Sequence, residues 1–459
     1  MASGSNGGCG DEPTGPDRER QTERTELAPA RRWLLCTAVS CRHSRTAAHV
    51  SLTEDHHVSQ STLARAVEDA HSALWNRFIH TNGLIHDYEG EIPNPEDCAL
   101  GRPNAIGWWS PIENGPMFTG LYLPAACERA VRSGDLTDVA QVRKLVQGLL
   151  LCASVSDVSG FIVRGTGTDG TCHYPLGSDD QTHPWFCGLH AYLTSGIPTE
   201  EEREQVIDKM VAVADVLETT GWRCPCDGVF KGEFRGTFRG HWFRDAVRYL
   251  HLLRIMHEIT GDAVWFDRYL VALAEKPETC AVTRIELAAQ GYVPDRAEIQ
   301  HIDVQALWIY VGCQIALARL IDFERDESRR ALYRAGLAIN AENASLVIDA
   351  YKGFDNDDTQ VFGHANWREG YSAWFPQTTQ EQAKELACKG DKTKLGTRKH
   401  YECRHVRNPL AAAAIMALAG DSAKQEAIDR AICHYGYAKL HMAEFFFAEC
   451  AYYAIPPRQ

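Results

Sequence analysis

The feature that most constrains this chain is a series of amphipathic helical segments joined alternately by very short and very long connections. Apolar residues recur at i, i+3, i+4 and i+7 from residue 62 onward, which predicts one helix after another. Where a Gly-Asp step joins two helices, the glycine ends the first helix and the aspartate starts the second. Such steps stand at 134–135, 261–262 and 420–421. The sequence therefore predicts an all-α chain built from helical hairpins.

Twelve helices are expected, and strand signals are sparse. Thr199 and Glu202 form a capping box that marks one helix start. The best candidate for a short strand runs from Phe161 to Arg164. The expected helices lie at 62–80, 116–133, 136–152, 184–195, 200–219, 240–259, 262–275, 301–321, 326–348, 408–419, 422–436 and 439–451.

The five long connections are rich in glycine, proline and aromatic residues, and they alternate with the helix pairs. A connection longer than about 15 residues without secondary structure is usually functional when it lies inside a compact domain. We therefore expect the function to lie on the face of the molecule where these connections gather. They cover residues 81–115, 157–183, 220–239, 276–300 and 349–407.

This pattern resembles the (α/α)6 toroid of six-hairpin glycosidases and of related polysaccharide lyases, over residues 60–455. The resemblance implies one ring of helices formed by residues 58–459, with the long loops on one face of the ring. Residues 1–30 have few apolar side chains, and no helical or strand period is visible as far as His57. Residues 1–57 are therefore expected to form a disordered or poorly ordered extension.

The charge balance restricts the partners. The chain has 47 Lys and Arg against 61 Asp and Glu, a formal net charge of −14. Binding to nucleic acid or to anionic membranes relies on clustered Lys and Arg, so neither partner is expected. A small anionic substrate held by a few local arginines remains compatible with this charge. No apolar run reaches the roughly 18 residues of a membrane span, and the oligomeric state is left open.

The 16 cysteines bear on the compartment. Their only tight pair is Cys224-Pro-Cys226, so no second clip of a structural zinc site is present in the sequence. We expect buried free thiols in a reducing, cytoplasmic compartment. The alternative is export to the periplasm or secretion, because two arginines at 31–32 precede a short apolar run and a lipobox-like Ala38–Cys41.

A first candidate site lies in the loop before the second helix, where residues 82–91 lead into 108–118. Trp108 and Trp109 are adjacent in a Gly/Pro-rich loop, and Glu113 and Asn114 immediately precede the helix. Aromatic rings cover the flat C–H faces of sugars, and a carboxylic acid can protonate a glycosidic oxygen. The alternative is structural: Asn114 caps the helix and the tryptophans plug the ring.

A second candidate is the acidic pair Asp179-Asp180, followed by His183. Two close carboxyl groups raise one pKa, which creates a general acid near neutral pH. The alternative is that the pair caps the helix start. The segment is similar to the Asp-Asp of unsaturated uronyl hydrolases, and this resemblance implies that Asp180 donates a proton.

A third candidate interleaves arginines with aromatic residues in segment 234–245. An arginine can hold a carboxylate through two hydrogen bonds, and an aromatic ring can stack on a sugar. The alternatives are an ordinary helix start and, disfavoured by the net charge, a nucleic-acid site. The residues assigned to substrate binding here are Arg235, Arg239, His241, Trp242 and Arg244.

Two further candidates lie in segment 349–407. His364 and Trp367 stand in a stretch dense in titratable and aromatic side chains. Tyr401, Arg404 and His405 combine the groups that β-elimination next to a uronate needs, namely a cation, a base and an acid. A basic surface turn is the alternative for 399–408. The acidic run 355–358 offers oxygen ligands for Ca²⁺ but lacks the EF-hand spacing, so a solvated turn is favoured.

These patterns favour a glycoside hydrolase acting on a uronic-acid-containing oligosaccharide, with Asp180 or Glu113 as general acid and a second carboxylate directing water. The first alternative is a polysaccharide or oligosaccharide lyase that uses His364, His405 and Tyr401. The second alternative is a helical toroid that binds a carbohydrate or a partner without catalysis. Neither a cofactor nor a metal site is expected, apart from the weak Ca²⁺ signal.

Overall fold

The computed structural model describes residues 58–292 and 307–455, apart from residues 372 and 391. These residues all belong to one compact unit. The expected extension 1–57, with its lipobox-like segment, lies outside the described residues. So does the start of the helix expected at 301–321.

The described chain is all-α, as expected. Three helices have the expected bounds at both ends, and most of the others begin or end within a few residues of them. The α-helices are α1 Gln60–Arg77, α2 Pro95–Leu100, α3 Gly115–Ser133, α4 Leu136–Cys152, α5 Asp179–Thr194, α6 Glu200–Thr219, α7 Phe243–Thr260, α8 Ala263–Ala274, α9 Arg284–Gln290, α10 Leu307–Phe323, α11 Glu327–Ser345, α12 Gln380–Cys388, α13 Lys392–Leu395, α14 Arg398–Glu402, α15 Asn408–Ala419, α16 Gln425–Cys433 and α17 Phe447–Tyr453.

The short joints have the predicted chemistry. Gly134, Gly261 and Gly420 end their helices with φ of 65°, 69° and 72°. The aspartate after each glycine accepts a hydrogen bond from the backbone N–H two residues further on. A left-handed glycine followed by an N-cap reverses the chain within three residues, so each joint produces a helical hairpin.

Six of the described helices pack in a closed cycle. In order, α3 contacts α5, α5 contacts α7, α7 contacts α10, α10 contacts α15, α15 contacts α17, and α17 contacts α3. Their hairpin partners lie against them; for example α4 packs on α3 and α8 packs on α7. Gly120 and Gly188 let α3 and α5 approach closely, because a Cβ at either position would collide with the backbone of the other helix. The cycle agrees with the neighbour order of a six-hairpin ring, and the toroid itself stays a prediction.

Several local predictions are wrong. Phe161 to Arg164 forms no strand but a buried loop, in which Val163 N–H donates to the carbonyl of Cys152 at 3.0 Å. The described residues form one two-stranded antiparallel sheet, from β1 Arg223–Pro225 and β2 Phe234–Thr237. Helix α5 begins at Asp179, five residues before the expected start. The last two helices are shorter than expected because 3₁₀ turns precede them.

The long connections precede five of the six cyclic helices, namely α3, α5, α7, α10 and α15. Tyr88 bridges to Met442, which precedes the sixth helix, and the carbonyl of Phe234 accepts from Gln380. The indole N–H of Trp109 donates to the carbonyl of Ala387. Connections 81–115, 220–239 and 349–407 therefore contact one another in part, and their gathering on one face stays a prediction. None of the described helices is both long enough and apolar enough to cross a membrane.

Candidate active site

An acidic pair clamped by one guanidinium stands at the start of α5. Asp179 and Asp180 are the first two residues of this helix, and Arg248 reaches them from α7. Nη1 of Arg248 lies 2.7 Å from Oδ2 of Asp179 and 2.8 Å from Oδ1 of Asp180. The side chain of Asp179 is 4% exposed and that of Asp180 is 31% exposed. Only Asp180 therefore offers a carboxylate oxygen to a ligand or to water.

The two acids of the pair differ in the direction of their pKa shifts. Burial, and after it the charge of Asp180, raises the pKa of Asp179 to about 6. Burial also acts against ionisation of Asp180, but Arg248 and Arg244 outweigh it and lower the pKa of Asp180 to about 2. Asp180 is thus the ionised member and Asp179 the member nearer to protonation. The low pKa of Asp180 favours a base over the proton donor that the resemblance implies, and the role of Asp180 stays a prediction.

More arginines surround the pair. Arg235 donates from Nη1 to the carbonyl of Gly177 at 2.8 Å, and its guanidinium lies 5.5 Å from the ring centre of Trp108. Arg164 is buried and donates from Nη2 to Oγ of Ser178 at 3.0 Å. The charge of Arg244 lowers the pKa of Asp180, and burial lowers the pKa of Arg235 although the charges of Asp180 and Asp179 act in the opposite direction. The pair therefore lies in a locally cationic environment, although the whole chain is acidic.

A second acidic group is formed by Asp87, Glu113 and Glu444. Asp87 is buried and accepts from the backbone N–H of Asn114 at 2.8 Å and from its Nδ2 at 2.7 Å. Asn114 makes no side-chain cap, contrary to the structural alternative. Its Oδ1 instead accepts from Gln181 at 3.0 Å, which links this group to the start of α5.

Burial dominates the titration of these acids. It raises the pKa of Asp87 well above its usual range, and the charges of Glu113 and Glu444 add to the effect. Burial also raises the pKa of Glu444 to about 7, although Arg407 and Lys399 act in the opposite direction. The group therefore holds at least one proton near neutral pH. Glu113 has the most exposed side chain that the structure gives for this group, 14% against 4% for Glu444.

Lys399 and Trp109 complete the second group. Lys399 Nζ lies 3.7 Å from the ring centre of Trp109 and 4.0 Å from Oε2 of Glu113. The backbone N–H of Trp109 donates to the same oxygen at 2.8 Å. Trp109 has a φ of 71°, which costs a bulky residue about 1–3 kcal/mol and is typical of functional sites.

His364 also converges on this group. Its ring centre lies 6.0 Å from that of Trp109 and 6.3 Å from that of Tyr88. Burial, and then the charge of Lys399, lowers the pKa of His364 to about 2. The imidazole is therefore neutral at physiological pH.

Tyr401 and His405 face away from these acids. The hydroxyl of Tyr401 donates to the carbonyl of Gly353 at 3.1 Å and accepts from the backbone N–H of Asp355 at 2.6 Å. Nδ1 of His405 lies 2.8 Å from the carbonyl oxygen of Ala350. Both side chains thus hold segment 350–355 in place, on the face of their helical segment opposite to Lys399.

Four of the residues assigned to substrate binding occupy other positions. His183 is 0% exposed and is enclosed with Cys187 and His251, so a substrate cannot reach it. Trp367 is 1% exposed and donates to the carbonyl of Glu91 at 2.7 Å, which explains it as packing. Arg239 pairs with Glu275. Arg404 is half-buried, on the segment that carries Tyr401 and His405.

His241 and Trp242 lie next to each other at the surface, with ring centres 4.7 Å apart and Trp242 56% exposed. The acidic run 355–358 is an ion-paired turn. In it Asp357 pairs with Lys439 at 3.0 Å and Asp358 pairs with Arg398 at 2.6 Å. Twelve of the described cysteines are free thiols, and eight of those are buried.

Four site residues are not indicated by the sequence patterns: Asp87, Lys399, Glu444 and Arg248. Asp87 and Lys399 lie in candidate segments, but no periodicity distinguishes them from their polar neighbours. Glu444 precedes an apolar helix and Arg248 lies inside one. The available signal was the charge itself, since Arg and Glu within apolar runs are rarely buried unless paired.

No family model, no curated protein and no solved structure matches this chain.

Proposed function

We propose that this chain is a glycoside hydrolase on an (α/α)6 toroid, acting on a uronic-acid-containing oligosaccharide. The observation that carries the proposal is that two acidic groups meet at neighbouring helix starts: Asp180 pairs with Arg248 at 2.8 Å, and Asp87 is linked to the same helix start through Asn114 and Gln181. Arg248 and Arg244 outweigh burial and lower the pKa of Asp180, while burial raises the pKa of Asp87 and of Glu444. Glycosidic hydrolysis needs such a division between an acid and a base.

In the proposed reaction, Glu113 protonates the glycosidic oxygen. It is exposed enough to meet a substrate, and its neighbour Asp87 can return a proton to it. Asp180 takes a proton from the attacking water, or attacks the anomeric carbon to form a glycosyl ester. In the second route a water that gives its proton to Glu113 then hydrolyses this ester, so either route adds one water across the broken C–O bond.

The surrounding residues suit an anionic sugar. Arg235 and Arg244 supply positive charge beside Asp180, and a uronate carboxylate is the substrate group that such cations bind. Trp108 and Trp109 are half-buried; Trp108 lies beside Arg235, and Trp109 lies beside Lys399 and donates its backbone N–H to Glu113. Flat sugar faces pack well on such rings.

The lyase alternative has less support. Its proposed base and acid, His405 and Tyr401, use their polar atoms on the backbone of residues 350–355. His364 is near the acidic group, but elimination would need a further acid beside it. The hydrolase therefore remains the better proposal.

The proposal is tested by measuring reducing ends released from saturated and unsaturated uronyl disaccharides. Asp180→Asn and Glu113→Gln are each expected to lower kcat by about 10²–10⁴-fold, the usual contribution of an acid or base. Asp357→Asn, in the exposed pair with Lys439, is the matched control and should leave kcat unchanged.

Three results would overturn the proposal. One is wild-type turnover in both active-site variants. Another is growth of the ultraviolet absorbance of an unsaturated product from saturated substrate, which indicates a lyase. The third is thermal stabilisation by the sugar without any turnover, which indicates a binding protein.

A further inference from the structure

Three potential metal ligands meet in the interior, one helical turn below the acidic pair. His183 and Cys187 lie four residues apart on α5 and therefore share a face, and His251 faces them from α7. All three side chains are at most 2% exposed. Among the described residues, this is the cluster whose ligand atoms lie close enough to hold one metal ion.

The distances among the three ligand atoms are those of a tetrahedral site. Nε2 of His183 lies 3.2 Å from Nδ1 of His251, and Sγ of Cys187 lies 3.5 Å and 3.6 Å from these two nitrogens. Zinc bonds of about 2.0–2.1 Å to nitrogen and about 2.3 Å to sulfur place ligand nitrogens about 3.3 Å apart and nitrogen and sulfur about 3.6 Å apart. The three edges agree with this triangle within about 0.1 Å.

We propose that His183, Cys187 and His251 bind a buried zinc ion as its three protein ligands. Helix α10 passes beside the cluster, because a Cβ at Gly312 would lie 3.7 Å from Nδ1 of His183. One thiolate and two neutral imidazoles leave the fourth tetrahedral position of Zn²⁺ open.

The protonation chemistry fits metal binding. Burial lowers the pKa of both histidines, so their rings are neutral and able to donate a lone pair. Burial raises the pKa of the Cys187 thiol, and the positive charge of Arg248 acts against this rise. Zinc displaces the thiol proton, as it does in other cysteine sites.

Packing alone explains the cluster poorly. Nε2 of His251 and Nε of Arg248 are both buried without a hydrogen-bond partner among the described residues. An apolar side chain would fill the space of His251 without burying an unpaired polar atom. Arg248 acts on the Cys187 thiol and pairs with Asp179 and Asp180, so the cluster and the acidic pair share this arginine.

The first test is metal content by elemental analysis of the full chain purified without chelator. One zinc per chain is expected, falling at least tenfold in Cys187→Ser and in His251→Gln. Cys127→Ser is the matched control, since Cys127 is buried in α3 outside the cluster. Retention of zinc in both cluster variants, or a metal-free wild type that takes up no zinc, would overturn the proposal.

The second test needs only the wild-type chain, so it remains informative if a variant fails to fold. Cobalt(II) replacing zinc should give intense thiolate-to-metal charge-transfer bands and the visible bands of a tetrahedral ion. X-ray absorption of the zinc form should show both sulfur and nitrogen in the first shell. An octahedral cobalt spectrum without thiolate bands, or a shell of oxygen and nitrogen alone, would contradict the site. Preferential retention of copper(I) over zinc would contradict the choice of metal.

Discussion

The Nη1 atom of Arg248 lies 2.7 Å from Oδ2 of Asp179, and both side chains are buried. The same nitrogen lies 2.8 Å from Asp180, so one cation neutralises two acids at the start of α5. A buried charge without its partner is strongly destabilising. Arg248 therefore supports the fold and the candidate site together.

Arg248→Met is expected to lower the free energy of unfolding by about 3–5 kcal/mol, because it leaves two neighbouring carboxyl groups without their cation. Urea denaturation at neutral pH measures the change. Arg334→Met is the matched control, since Arg334 is exposed on α11 in a surface pair with Glu327. A surface change of this kind stays within about 0.5 kcal/mol. Equal changes in the free energy of unfolding would show that the contacts of Arg248 with Asp179 and Asp180 stabilise the fold no more than a surface ion pair does.

Gly236→Ala tests the close approach of the arginine-rich segment to the acidic pair. Gly236 has a φ of +85°, and a Cβ there would lie 2.3 Å from Oδ1 and 2.8 Å from the backbone nitrogen of Asp179. Both the backbone strain and the clash with main-chain atoms oppose the methyl group. We expect destabilisation of about 3 kcal/mol and loss of turnover.

Gly170→Ala is the control for Gly236→Ala, because it introduces the backbone strain of a positive φ without a steric clash. Gly170 has a φ of +78° but nothing lies within 4 Å of its Cβ position. Only the backbone term of about 1 kcal/mol applies there. Thermal unfolding of both variants measures the difference, and equal shifts in Tm would contradict the close approach at Gly236.

Much of the fold could be predicted from the sequence because its signals are local. The apolar stripe and the Asp135 cap define α4 from Leu136 to Cys152, and the Thr199 capping box defines the start of α6. A local hydrogen bond and a local period are enough for such elements. By contrast, the strand expected at 161–164 depends on finding a partner strand, which no local pattern reveals.

The candidate site was only half predictable, for the same reason. The acidic pair and the tryptophans stand out because they are adjacent in the chain. Asp87 and Glu444 are 357 positions apart, and only the folded chain brings the carbonyl of Asp87 to the N–H of Ala443 at 2.8 Å. The assignment of roles within Asp179 and Asp180 also needed Arg248, which helix α7 supplies from outside the motif.

Glu444→Gln should make stability less dependent on pH. The pKa of Glu444 is raised from its ordinary value of 4.5 to about 7, chiefly by burial. The folded state then binds more protons than the unfolded state between these values, so this group's contribution to stability falls as pH rises from 4.5 to 7. Arg407 and Lys399 limit the rise, while Glu402 adds to it. The glutamine in Glu444→Gln cannot ionise, so the stability of this variant lacks the decrease between pH 4.5 and pH 7.

The comparison is made by urea denaturation at several pH values. Relative to the wild type, Glu444→Gln should gain up to about 3 kcal/mol between pH 4.5 and pH 8. Glu385→Gln is the control, because Glu385 is exposed and pairs only with Lys389 on the same helix. A parallel pH dependence in wild type and Glu444→Gln would mean that folding does not raise the pKa of Glu444.

Lys399→Met should shift the pH dependence of turnover. Lys399 lowers the pKa of Asp87 and of Glu444, so its removal raises both. Because Asp87 returns the proton to the proposed acid Glu113, the ionisation of Asp87 sets the basic limb of the profile. That limb is therefore expected to move to higher pH in plots of kcat/KM. Lys389→Met, at an exposed ion pair, should leave it in place, and an acidic shift in Lys399→Met would contradict the proposed acid.

Arg235 and Arg239 come from one short motif but lie in different surroundings, which gives a direct test of substrate charge. Arg235 interacts electrostatically with Asp180 and Asp179, whereas Arg239 forms an ion pair with Glu275. Arg235→Gln should raise KM for a uronate substrate at least tenfold, a loss of about 1.4 kcal/mol or more. It should change KM much less for the methyl ester of the same substrate, which carries no charge. Arg239→Gln should affect neither, and an equal loss on both substrates in Arg235→Gln would mean that this arginine does not bind the carboxylate.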